Sequence, residues 1–215
     1  YTGADKSTEA LAEITKVIGT PYKVATIPYA NLFKADNNTN GAQDEAIFPI
    51  TFDGIKTKTY GGTTFLIHAS CTNAVAATLG VDAGWAGFRT RQEFIQSTGN
   101  DARVMKVVGT ADPVTISDYA KFEEGAKLIK FSNKTATGAS GSDGTFTDAD
   151  FALFRMGDAY LMYAELAIVN GKGSTATALG YINTLRTRGG VTNLTMSDIN
   201  ALTTTDAKEM FILNE

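Results

Sequence analysis

The sequence predicts a mainly α fold: a tetratricopeptide-type helical hairpin joined to an irregular α+β ligand-binding portion with short strands. Three observations lead there. Apolar residues recur at helical spacing over 150–170 and again over 175–187, on either side of Gly171-Lys172-Gly173-Ser174. The earlier part of the chain offers only short extended stretches, interrupted by Pro49, Gly61-Gly62 and the Asn37-to-Gly41 run. A 43% hydrophobic content over 215 residues is enough to form a core. The expected division is an irregular ligand-binding portion over 1–148 and a helical-repeat portion over 149–215, incomplete at its C-terminus.

From the N-terminus, Ala10, Leu11, Ile14, Val17 and Ile18 predict an amphipathic helix over 7–18, with Ser7 as its N-cap and Gly19 as its stop. Residues 46–52 read as a short edge strand because of Pro49. The β-branched and aromatic content of 57–68 predicts extended structure bent at Gly61-Gly62. A glycine-rich loop over 80–87 carries the single tryptophan. A short helix near 92–96 and extended pieces over 103–108 and 127–132 follow. Residues 135–147, nearly all Thr, Gly, Ala, Ser and Asp, predict an exposed loop. A long helix is then expected over 150–170, interrupted only by Gly157, which costs roughly 1 kcal/mol relative to alanine. The second helix places Ala178, Tyr181, Ile182 and Leu185 on one face and ends at Gly189-Gly190. Alanines at the contact let backbones approach and tyrosines fill the gaps, the physical form of a tetratricopeptide unit. One such unit leaves an apolar face that needs neighbours. A start at Tyr1 without methionine, and an end over 208–215 that reads as the opening of a helix, lead us to expect part of a longer protein, completed by its missing segments.

Composition excludes several classes of function. A net charge of −4 with interspersed signs argues against nucleic acid and against a polybasic membrane patch. One cysteine, Cys71, and one histidine, His68, rule out an intramolecular disulfide framework and the usual zinc sites. Neither a metal nor a cofactor is expected. His68 is the only possible base for a serine nucleophile; it lies two residues from Ser70, with no nucleophile elbow in the chain, and is read instead as a buried or interface histidine. Asp143, Asp148 and Asp150 are read as helix-capping and solvated, with calcium as the alternative.

The run from Phe154 to Glu165, Phe-Arg-Met-Gly-Asp-Ala-Tyr-Leu-Met-Tyr-Ala-Glu, and the later Tyr181-to-Gly190 segment resemble the helical-repeat half of the SusD/RagB family. Upstream, Glu45 to Asp53, Thr59-Tyr60-Gly61-Gly62 and Gly84-Trp85-Ala86-Gly87-Phe88-Arg89-Thr90 are similar to family segments in the same order. The resemblance implies a lipoprotein on the outer face of a Gram-negative outer membrane, held by an N-terminal lipid anchor that this chain lacks. It also implies a SusC-like TonB-dependent transporter as partner, with non-catalytic capture of oligosaccharides. The alternatives are peptide capture of the RagB type and a helical scaffold binding only other proteins.

Trp85 and Tyr60 are the residues expected to contact ligand. Aromatic faces stack on the C–H faces of sugars, and neighbouring glycines leave such rings accessible. The alternative for each is a core aromatic. Asn73 and Arg89 are further candidates for hydroxyl hydrogen bonds, or else satisfy backbone groups. A dissociation constant between about micromolar and millimolar, roughly 4 to 8 kcal/mol, suits capture and release.

Overall fold

The computed structural model describes residues 4–98, 101–107, 115–122 and 124–215. Among them run, in chain order, α1 (Ser7–Ile18), β1 (Ala46–Ile50), α2 (Gly62–Ala69), α3 (Asn73–Ala76), α4 (Gln92–Thr98), β2 (Lys106–Val107) and β3 (Lys127–Leu128). They continue with β4 (Phe151–Arg155), α5 (Met156–Ile168), α6 (Thr175–Arg188), α7 (Met196–Asn200) and α8 (Thr205–Leu213). β1 pairs with β4, and β2 pairs antiparallel with β3 in the register Lys106 to Leu128 and Val107 to Lys127. The fold is mainly α, as expected.

The chain forms two compact units that are discontinuous in sequence: residues 1–26, 44–48 and 153–215 make one, and 27–43 with 49–152 make the other. The N-terminal helix α1 therefore shares a unit with the C-terminal hairpin.

In the first unit, α5 and α6 pack along each other. Ala164, Ala167, Ile168, Ala178 and Ile182 form a core that Ile199 of α7 and Phe211 and Ile212 of α8 extend. Ser174 caps α6, its side chain accepting from Thr177 N–H at 3.2 Å. Tyr181 stacks on Tyr160 at 4.1 Å and meets Tyr163 edge-on at 5.2 Å, so tyrosines fill the helix contact. Ile14, Val17 and Ile18 of α1 pack against Met156, Ala159 and Leu185. Of the hairpin's large apolar side chains, Ile182 and Leu185 are buried, Leu161 and Leu166 half-buried, and Met162 exposed.

A fully buried carboxylate organises the entry to α5. Glu45 pairs with Arg155 at 3.4 Å and with Arg188, and accepts from Ala25 N–H at 2.9 Å. Its own carbonyl receives Met156 N–H at 3.0 Å. A Cβ at Gly157 would lie 3.2 Å from Glu45 Oε1, so the glycine in this helix makes room for the buried carboxylate.

Four expectations are corrected. The stretch around Gly61-Gly62 is not extended: α2 occupies 62–69, with Thr63, Thr64, Ile67 and His68 buried along one face. Helical spacing was present there, but hidden in β-branched residues. The long helix begins only at Met156, because 151–155 pairs with β1 and Asp158 caps the helix by accepting from Arg155 N–H at 3.0 Å. Ser7 is the first residue inside α1 rather than its N-cap, and its N–H donates to Asp5 at 2.9 Å. The 135–147 segment is exposed over 136–140 and at Ser142 and Gly144, while Thr147 is fully buried. Polar side chains order it: Asp143 accepts from the N–H groups of Thr145 and Phe146, and Asp148 from those of Gly54 and Ser142. Of the extended piece expected over 103–108, β2 occupies 106–107 and Val108 lies outside the described residues.

Candidate functional site

In the second unit, the core of Ile67, Cys71, Ala76, Leu79 and Val81 supports α2 and the loop after Gly80. The last carbonyls of a helix have no partner within it. Here the loop supplies them: Trp85 N–H donates to His68 O at 2.8 Å, and Phe88 N–H to Ala69 O at 2.8 Å. Just past the helix end, Ala86 N–H donates to Cys71 O at 2.9 Å. Following this line turns Ala86 to a φ of 56°, a conformation uncommon for a residue with a side chain. Gly84 lies against the backbone of Cys71 and Thr72, leaving no space for a Cβ.

The result is a fixed, exposed tryptophan. Its ring lies on the buried His68 imidazole, centroids 4.6 Å apart and planes 18° from parallel. Tyr60 and Phe65 flank it at 6.1 and 6.2 Å, and Tyr60 also packs on Phe146 at 5.2 Å. Tyr60 is 62% exposed, Phe65 47% and Trp85 37%, so three neighbouring rings present surface to solvent around one buried base. Such exposed aromatic groupings mark binding surfaces.

Of the four expected residues, Trp85 and Tyr60 come together. Asn73 lies at the start of α3, and its Oδ1 accepts from Gly84 N–H at 2.9 Å, which ties it to the tryptophan loop as a support. Arg89 is committed elsewhere. Its guanidinium donates to the carbonyls of Tyr119, Lys121 and Glu124 and lies 5.6 Å from the Phe122 ring centroid. Sequence reasoning missed Phe65, His68 and Phe146. Phe65 becomes visible only once 62–69 is recognised as a helix, for it stands off the face that buries Thr64, Ile67 and His68.

The SusD family model matches residues 83–215, more than half of the chain and inclusive of Trp85. The chain belongs to the SusD family. A curated SusD-family relative, the starch-binding protein SusD of Bacteroides thetaiotaomicron, is 30% identical over 243 residues. That match covers 89% of this chain and 42% of the relative, so the chain spans less than half of the relative's length. Among solved structures, a SusD superfamily protein from Bacteroides fragilis superposes with a TM-score of 0.62 at 20% identity, over 100% of this chain and 46% of that one. Surface glycan-binding protein A from Bacteroides thetaiotaomicron, in complex with laminarihexaose, gives 0.58 at 20% identity, over 96% and 49%. At these identities the structures establish a shared SusD-family fold.

The other polar groups of this SusD-family unit are engaged in structure. Ser70 Oγ donates to Ile67 O at 3.0 Å, while both His68 nitrogens face backbone carbonyls, so the two are not arranged as nucleophile and base. Burial pushes the Cys71 thiol up from its ordinary value and keeps it away from reactive thiolate chemistry. Burial also raises Asp150, against the pull of Phe52 N–H on its carboxylate. The three aspartates cap turns and a strand entry rather than a helix. Among the described residues, no group of acidic, histidine or cysteine side chains could hold a metal ion, and no helix is long and apolar enough to cross a membrane.

Proposed function

We propose that the chain contributes a non-catalytic glycan-binding surface to a cell-surface nutrient-capture protein. Tyr60, Phe65 and Trp85 form its stacking platform. The observation that carries this reading is the grouping of three exposed rings around a loop pinned by the end of α2. Covering on the order of 60 Å² of ring with a sugar face contributes roughly 1.5 kcal/mol at ~25 cal/mol per Å². Two or three such contacts, with hydroxyl hydrogen bonds at their edges, reach the millimolar to micromolar range suited to capture and hand-off. The 30% identical relative is named for binding starch, and a more distant one is seen with laminarihexaose, so neutral glucans are the ligand class to try first. In this reading an N-terminal lipid anchor holds the protein at the outer membrane, and a SusC-like TonB-dependent transporter receives the sugar.

Calorimetric titration with maltoheptaose and laminarihexaose tests the proposal. Binding of at least one glucan, without release of new reducing ends, is the expected result. Absence of binding to both, or cleavage abolished by replacing a single carboxylate, would overturn it.

A further inference from the structure

We propose that His68 is a positioning residue for the aromatic platform: one buried ring that fastens the two loop segments carrying its neighbours. The inference rests on the glycan-binding reading of that platform. His68 is the single histidine of the chain and is 1% exposed. Its Nδ1 lies 2.7 Å from Ala83 O, two residues before Trp85. Its Nε2 lies 3.0 Å from Thr145 O, directly before Phe146, on which Tyr60 packs. Its face carries the Trp85 indole. The segments over 83–85 and 145–146 thus meet on a single side chain of α2.

Both partners are carbonyl oxygens, which only accept. A neutral imidazole has one N–H and directs a lone pair at the other carbonyl, whereas the imidazolium donates to both. The two-sided clamp is complete when the ring carries its second proton. Charged and titratable groups around it act through the clamped segments. Asp82 Oδ2 accepts from the Thr145 hydroxyl at 2.5 Å, and Asp143 accepts from Thr145 N–H at 2.7 Å, with Lys58 near enough to Asp143 to favour its charge. On the ring's own side, the Cys71 thiol donates to His68 O at 3.6 Å. Either form of the ring ties at least one of the two segments through an N–H, and a side chain without a donor ties neither.

Trp85 is the only tryptophan in the 215 residues, so its emission reports the stack on His68 without any ligand. The experiment follows Trp85 emission and maltoheptaose and laminarihexaose affinity for the wild-type chain and for His68→Gln and His68→Phe. His68→Gln keeps an amide N–H for one carbonyl and should bind within about threefold of wild type. His68→Phe keeps a ring for the stack but has no donor, and should bind at least tenfold more weakly with unchanged helical circular dichroism. Where His68→Phe does not fold, His68→Gln decides through its Trp85 emission, which should differ from wild type because the stacked ring is gone. A folded His68→Phe with wild-type affinity, or a His68→Gln with wild-type emission, overturns the role of His68 alone. A wild type that binds neither glucan overturns the platform reading and this inference with it.

Discussion

Trp85 shows how little of a residue's role lies in its own chemistry. The indole is held by its backbone, whose N–H completes the end of α2, and by a stack on His68; its outer edge is left to solvent. Trp85→Ala should lower glucan affinity about tenfold or more, near 1.4 kcal/mol, while the backbone bonds persist. Titration calorimetry with a circular dichroism control checks this; unchanged affinity would remove Trp85 from the surface. Gly157 makes the opposite point. Helix propensity says that alanine there should stabilise by roughly 1 kcal/mol. A methyl group at this position would instead crowd Glu45 Oε1, which is fixed by Arg155 and cannot easily retreat. Gly157→Ala is expected to destabilise by about 1 kcal/mol, read from the urea midpoint. A rise in stability would show that the triad relaxes freely.

Between elements, the α5 and α6 hairpin relies on close contact of alanines with a few large side chains. Ile182 is fully buried in its core. Ile182→Ala should therefore cost about 2 to 5 kcal/mol through lost burial and the cavity left behind. The exposed Met162, on the same hairpin, should tolerate alanine within about 0.5 kcal/mol. Denaturant melts of both variants provide the comparison, and equal costs would mean that the hairpin core is misassigned. A contrast of the same kind separates α5 from β4. Both are apolar and adjacent, yet the partner strand and the Asp158 cap set the boundary at Met156.

Across the whole molecule, acid should be destabilising. Backbone N–H groups hold Asp53, Asp143, Glu124 and Asp198 below their ordinary values. Lowered carboxylates contribute stability that is present above their unfolded-state values and lost as pH falls through the folded ones. Asp150, raised mainly by burial, acts in the opposite sense and is relieved by protonation. Asp5, Glu9 and Glu93 are lowered as well, and this excess over Asp150 predicts falling stability below about pH 4, with Asp143→Asn weakening the dependence; urea midpoints from pH 3 to 7 measure it. At the centre of the first unit, Glu45→Gln removes the buried partner of two arginines and should cost about 3 to 5 kcal/mol. Thermal unfolding of this variant unchanged from wild type would contradict that role.

The sequence by itself determined the mainly α class, α1 and α6 nearly to the residue, and the tyrosine and alanine contact of the hairpin. These were legible because helical periodicity and helix-ending glycines act within a few residues of chain. Tyr60 and Trp85, singled out by the resemblance of their segments, have ring centroids 6.1 Å apart in the folded chain. The conformations of 62–69 and 151–155 were decided only in the tertiary structure. A β-branched stretch becomes a helix when its threonines find buried partners across 83 residues, as Thr64 does with Thr147, and an apolar helix-like run becomes a strand when another strand lies beside it. Distance along the chain also hid His68, which gains its place from carbonyls 15 and 77 residues away. Hydrogen bonds to a backbone carbonyl leave no signature in side-chain identity, so only the folded chain could reveal which residues stand behind Trp85 and Tyr60.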